Sequence, residues 1–221
     1  MMLARDLITD AIPPLKTSDT GLKALSWMEE FKVFHLPIVN NVDFLGLISE
    51  EDILNLNAPE DPIGNHPLSL MRPYVKEDQH IYDVLKLIDK LKTTIVPVLD
   101  EEDHYMGLIT LTDLMHHMSG IASIQDPGGI IVLELNNNDY SLSEIAHIVE
   151  GDDASIISSY ITSEPESRKM ELTIKVSKAD VTRILSSFYR HNYTVKASFH
   201  QSEFSDNMKN RFDSFMNYLN I

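Results

Sequence analysis

The chain has 221 residues, one tryptophan, no cysteine and a formal charge of −16. The length fits one large domain or two small ones, and 43% hydrophobic with 24% charged residues is a globular composition that excludes wholesale disorder. Without cysteine there is no disulfide scaffold, thiol nucleophile or cysteine-ligated metal site, and an acidic chain with no basic run disfavours nucleic acid and membrane as partners.

The elements can be read in chain order. Leu15-Lys16 is a short edge segment. Leu22, Leu25, Met28 and Phe31 recur every third residue and predict one face of a helix. His35-Leu36-Pro37-Ile38-Val39 is an apolar strand, Asn40 to Asp43 a polar hairpin, and Gly46-Leu47-Ile48-Ser49-Glu50-Glu51-Asp52 a strand that passes into a helix with Ile53 and Leu54. Asn57 to Pro67 contains Pro59, Pro62, Gly64 and Pro67 and reads as a stiff linker. Arg72-Pro73 then opens a second copy. Val75-Lys76 follows Leu15-Lys16 by sixty residues, and Ile95-Val96-Pro97-Val98-Leu99 follows the first proline strand by the same interval. Gly107-Leu108-Ile109-Thr110-Leu111-Thr112-Asp113 follows the first glycine motif by sixty-one, the extra residue falling in the hairpin. Val84, Leu85, Ile88 and Leu91 supply the second copy's helix. The unit is strand–helix–strand–strand–helix, used twice.

Period and composition change near Gln125-Asp126-Pro127-Gly128-Gly129. Ile130 to Leu135 is an apolar strand. Ser141 to Glu144 has capping-box spacing before a helix carrying Ile145, Ile148 and Val149, which Gly151 ends. Ser155 to Thr162 is β-rich, and Met170, Leu172, Ile174 and Val176 alternate as a half-buried strand. Ser177-Lys178-Ala179-Asp180 starts a helix with Val181, Ile184, Leu185 and Phe188 inward, and Tyr193, Val195, Ala197 and Phe199 alternate again. The order β-α-β-β-α-β is the ferredoxin-like arrangement. Met208, Phe212, Phe215, Met216 and Leu219 form an apolar stripe at helical spacing, of the kind that packs on its own protein or a dimer mate.

The repeated Gly-h-h-[Ser/Thr]-x-x-Asp motif, where h is apolar, has a physical logic. Ser/Thr-x-x-Asp is helix N-cap spacing. The same helix end offers free N–H groups to a phosphate, and a carboxylate can accept two hydrogen bonds from a ribose diol. Plain helix capping by Ser49 with Asp52 and by Thr110 with Asp113 is the alternative. Two such motifs in register, each with a proline-centred strand and matching helices, resemble a tandem pair of cystathionine-β-synthase (CBS) domains over roughly Leu3 to Gly120. The second half resembles an ACT domain on its element order, and the whole layout is similar to CBS–ACT proteins of the acetoin-utilisation type. The fold expected is therefore mixed α+β. CBS repeats occupy 1–57 and 69–124 with a linker at 58–68. An ACT-like ferredoxin-fold domain occupies 125–200 and an amphipathic helix 201–221.

The resemblance implies a non-catalytic cytoplasmic sensor that binds an adenosine-containing ligand (AMP, ADP, ATP or a relative, with or without Mg²⁺). Nothing is expected to be tightly bound as a cofactor. It implies Asp52 and Asp113 on ribose, Ser49 and Thr110 near phosphate, and adenine against the strands near Pro37, Ile38, Pro97 and Val98. Lys16 and Lys76, at matching positions, are candidates for a phosphate charge. Arg72 is a candidate for a phosphate or an ion pair, and His35 for a ligand contact in the first cleft only. A homodimer and a regulated protein partner are expected. The loop Asn136-Asn137-Asn138-Asp139-Tyr140 departs from the glycine-bearing loop of amino-acid-binding ACT domains, which leaves an amino-acid sensor and a purely dimerising module as the alternatives. The nine histidines are scattered, and neither they nor the paired carboxylates Glu50-Glu51 and Glu101-Glu102 form a nucleophile–base–orienter set. The first ten residues have no apolar signal core and no stretch reaches membrane-spanning length, in keeping with the cytoplasmic expectation.

Overall fold

A computed structural model describes residues 2–67, 70–121, 123–136, 138–163 and 169–199. The stripe expected at 201–221 lies outside the described residues. Contacts divide the chain into two units, Met1–Met118 and Ser119–Ile221, each mixed α+β.

In the first unit α1 (Gly21–Phe31) starts at Thr20, whose hydroxyl accepts from the Lys23 N–H, and ends at Lys32 in the left-handed region. Its buried stripe is Gly21, Ala24 and Met28. Leu22, expected inward, is 53% exposed. Gly21 decides this rotation, because it approaches Ile53 and the Pro59 carbonyl so closely that a Cβ there would meet atoms 3.0 and 3.1 Å away. β1 (His35–Asn40) and β2 (Asp43–Ser49) form an antiparallel hairpin, followed by α2 (Glu50–Leu54). The second copy is β3 (Val75–Lys76), α3 (Ile81–Leu91), β4 (Ile95–Leu99), β5 (Tyr105–Thr110) and α4 (Leu111–Ile121), with β3 parallel and β5 antiparallel to β4. Lys92 repeats the left-handed cap of Lys32, and Gly107 repeats the positive φ of Gly46.

The two copies exchange their leading segments. Ala4 N–H donates to Gln79 O at 2.8 Å and Thr9 N–H to Leu108 O at 2.9 Å. Ala4 and Leu7 are buried with Val75, Ile81, Val84 and Val96 of the second copy. Conversely, Leu47 N–H of the first copy donates to Met71 O at 2.8 Å. The hairpins also meet, with Tyr105 N–H on Val42 O at 2.7 Å and Tyr105 stacked on Phe44. The first copy thus carries its core (Leu15, Leu36, Ile38, Phe44, Ile48, Ile53) and the second its own, with Ile95, Leu99 and Leu108 packed into the first.

The second unit runs β6 (Gly129–Asn136), α5 (Leu142–Glu150), β7 (Ile156–Ser163), β8 (Lys169–Val176), α6 (Thr182–Arg190) and β9 (Thr194–Phe199). The sheet order is β7-β8-β6-β9, every pair antiparallel, which is the ferredoxin-like βαββαβ topology. Ile131, Leu133, Leu172 and Ile174 face Ile148 and Phe188 of the helices. α6 begins at Thr182, later than its sequence pattern suggests, because the Asp180 carboxylate accepts from Thr182 N–H at 2.9 Å and holds the preceding residues as a loop.

Candidate ligand cleft

Ser49 ends β2 and caps α2. Its Oγ accepts from Asp52 N–H at 3.1 Å, and Asp52 Oδ2 accepts from Ser49 N–H at 2.9 Å and from the Ser49 hydroxyl at 2.7 Å. This reciprocal box fixes the carboxylate at the helix start. Asp52 Oδ1 has no partner among the described residues. Thr110 and Asp113 repeat the arrangement, with Asp113 N–H on Thr110 Oγ1 at 3.0 Å and the Thr110 hydroxyl on Asp113 Oδ2 at 2.7 Å.

The first box opens on a cavity of about 550 Å³ lined by Phe34, His35, Leu47, Ser49, Asp52 and Met71, with Glu50 and Glu51 also on its wall. That volume suits a drug-sized or nucleoside-sized ligand. Phe34 and Met71 are 58% and 56% exposed, so they present apolar surface that a planar ring would cover. His35 faces the second copy. Thr94 N–H lies 3.4 Å from its Nδ1 and Thr94 Oγ1 3.2 Å from the same atom, while Phe34 N–H donates to Thr94 Oγ1 at 3.0 Å. A ring nitrogen that accepts an N–H carries no proton, which leaves the proton on Nε2. Burial pushes the His35 pKa down, and the Asp52 charge opposes this in part.

His35, Ser49 and Asp52 are thus brought together, and Thr110 and Asp113 form the equivalent pair. Several other sequence candidates are not placed with them. Pro37, Ile38, Pro97 and Val98 are sealed in the cores, Ile38 and Val98 being 1% and 0% exposed. Their side chains are enclosed, and the exposed apolar side chains at the cleft are Phe34 and Met71. Lys16 and Lys76 lie at the hairpin ends of β1 and β4. The parallel register sets Lys76 beside Leu99, four residues from the Ile95–Thr110 pair and so about 13 Å along the strand. Lys76 Nζ is bound to Asp103 Oδ1 at 2.7 Å and to Asp100 O. Leu15 bridges Ile38 in parallel, which sets Lys16 at the same remove from His35. Arg72 donates to Phe44 O at 2.7 Å and lies over the Phe44 ring, so it ties the exchanged segment to β2. Met71 was hidden from sequence reasoning because it reaches the first copy's cleft only through the segment exchange. Phe34 had a signal, an aromatic side chain directly before the apolar strand.

Among the described residues Asp100, Glu102 and His104 place one ligand atom each within 4.8 Å of one another. They lie on an exposed hairpin where the Lys76 ammonium already supplies a cation. No described helix is long and apolar enough to cross a membrane.

Residues 68–120 match the family model of the CBS domain. This segment is a CBS domain. The repeat extends the same architecture over the first unit, which is a CBS pair, and the second unit has the βαββαβ order and four-stranded antiparallel sheet of a ferredoxin-like fold. The chain is 29% identical over 136 residues to an uncharacterized protein of Methanocaldococcus jannaschii, a match covering 54% of this chain and 45% of that one. It is 27% identical over 135 residues to the inosine-5′-monophosphate dehydrogenase of the same organism, covering 60% and 26%. The chain therefore spans less than half the length of these curated relatives. Among solved structures, a CBS domain pair/ACT domain protein from Thermotoga maritima is 24% identical with a TM-score of 0.48, over 54% of this chain and 98% of that one. The CBSX2 protein of Arabidopsis thaliana in complex with AMP is 21% identical with a TM-score of 0.47, over 55% and 98%.

Proposed function

We propose that the CBS pair is a non-catalytic sensor of an adenosine-containing ligand and that the first repeat's cleft receives it. The observation that carries this reading is the cavity beside Ser49 and Asp52, in which a fixed carboxylate faces exposed Phe34 and Met71. The ribose diol donates to Asp52, whose Oδ1 is open, and the adenine covers the apolar side chains. Binding shifts the population of pair geometries and biases the ACT-like unit, a homodimer mate or a regulated protein. Asp113 and Thr110 repeat the capping pair in the second copy and are the candidates for a second site.

Calorimetry against AMP, ADP, ATP and S-adenosylmethionine tests the reading. Binding is expected in the wild type and lost in an Asp52→Ala, Asp113→Ala double variant; binding unchanged by both substitutions would refute the site. The amino-acid-sensor alternative is disfavoured by a cavity of about 300 Å³ in the second unit, whose wall carries Asp139 and Glu144, and a Glu134 paired with Lys169 at 2.7 Å, but, among the described residues, no lysine or arginine to receive a ligand carboxylate. A thermal-shift screen in which amino acids stabilise and nucleotides do not would reverse that preference.

A further inference from the structure

The two capping motifs differ in charge at two positions. Glu50 and Glu51 follow Ser49, whereas Leu111 and Thr112 follow Thr110. Glu50, Glu51 and Asp52 all line the cavity of the first repeat, and no lysine or arginine does. Three of the backbone donors at the start of α2 are already engaged. Glu50 N–H donates to Phe34 O at 3.0 Å, Asp52 N–H to Ser49 Oγ, and Ser49 N–H to Asp52 Oδ2. α2 is only five residues long, so its dipole is small, and its whole first turn is acidic. Lys76 and Arg72 are held at Asp103 and Phe44 O. His35 turns its unprotonated Nδ1 toward Thr94 and stays neutral.

We propose that the first repeat's cleft accepts an adenosine-type ligand whose 5′ substituent is neutral or cationic and rejects a 5′ phosphate, with Glu50 and Glu51 as the residues that set this choice. The proposal rests on the adenosine reading above. A ribose diol and an adenine ring need no cation from the protein, so Asp52, Phe34 and Met71 suffice for the nucleoside half. A dianionic phosphate beside three carboxylates meets repulsion with no lysine or arginine among the described residues lining the same cavity, Lys32 lying on the adjoining one that shares Phe34 and Glu50, whereas a sulfonium or ammonium at the same place is attracted.

The test is calorimetry at low salt on the Asp113→Ala protein, in which the second motif is disabled, with adenosine, S-adenosylmethionine, AMP and ATP, each in EDTA and in Mg²⁺. Adenosine and S-adenosylmethionine are expected to bind, with AMP weaker than adenosine by about tenfold, from two carboxylates acting on a phosphate across about 7 Å of screened water. The Glu50→Leu, Glu51→Thr variant, which copies the second repeat, should close that gap, read as the ratio of AMP to adenosine affinity within the same protein. AMP or ATP binding more tightly than adenosine, with or without Mg²⁺, overturns the proposal, as does a gap unaffected by the double substitution. Adenosine binding in the wild type that vanishes in Asp113→Ala also overturns it, because the second cleft is then the site. Failure of every adenosine compound to bind wild type refutes the underlying reading as well.

Discussion

Replacing Gly46 by alanine tests the exchange of leading segments. Gly46 sits in β2 with φ +155°, and a Cβ there would lie 2.6 Å from Leu70 Cβ and 2.8 Å from the Met71 carbonyl oxygen. Neither atom can swing aside. Met71 O is held by Leu47 N–H at 2.8 Å, and Leu70 Cβ moves only with its backbone. The conformation itself costs about 1–2 kcal/mol in a residue with a side chain, and forcing a packed segment outward costs about 1–3 kcal/mol more. A loss of about 3 kcal/mol follows, which at about 4 °C per kcal/mol lowers the melting temperature by about 12 °C. Trp27, the only tryptophan, lies in α1, so its fluorescence in a urea titration follows the first unit. The equivalent Gly107 meets a side-chain methyl, Ile8 Cγ2, at 2.4 Å, which can be relieved by local repacking, so Gly107→Ala should cost less. A Gly46→Ala protein within about 0.5 kcal/mol of wild type, or a larger loss at Gly107, would refute the argument. Met71 lines the cleft, so the Gly46 variant should also lose adenosine affinity under conditions where it stays folded.

Three further expectations follow from single side chains. Burial holds the His35 pKa below its ordinary 6.5; the unfolded chain therefore takes up this proton first, and stability that is full above about pH 6.5 falls as the pH drops below it. His35→Asn should flatten that part of the urea-midpoint profile between pH 7 and 5, and an unchanged slope would count against a buried neutral imidazole. Lys76→Ala should change AMP and adenosine affinity less than about twofold, because the ammonium is tied to the far hairpin and exposed charges at that distance are screened; a loss of tenfold would return Lys76 to the cleft. Phe188 is fully buried between α6 and the sheet of the second unit, and Phe188→Ala should lower stability by about 3–5 kcal/mol, seen as an earlier urea midpoint by circular dichroism.

The repeat was legible because both copies spell the same turns. Pro37 and Pro97 sit in the middle of the apolar strands, Gly46 and Gly107 take the same positive φ, and Ser49 and Thr110 cap the same helix. Those signals are local, and so is the capping geometry they describe. The exchange was not legible because hydrogen bonds such as Ala4 to Gln79 join residues far apart in the chain, and no local pattern distinguishes them from a pairing within one copy. The lysines show the same limit. Matching Lys16 to Lys76 identified equivalent positions, but only the β3–β4 register shows which end of the strand they occupy. The continuous apolar runs around Ile38 and Val98 did carry a signal that these side chains are enclosed. A strand apolar on both faces is covered on both faces, and these two side chains are enclosed. In the second unit the alternation in β6 and β8 gave the strands, while the late start of α6 depended on one aspartate side chain competing with the helix.

The crossing of the two leading segments also has a consequence for how the chain is made. Thr9 finds its partner at Leu108, and Ala4 and Leu7 have no core until Val84 and Val96 exist. At ribosomal rates of about 5–20 residues per second, the leading segment waits roughly 5–20 s for the residues it pairs with. During that interval its apolar side chains are unsheltered, and the first repeat, which needs Met71 for one of its own bonds, is also incomplete. The pair therefore reaches its native topology late and all at once, and a nascent chain stalled in the proline-rich linker would be a substrate for chaperones rather than a folded half.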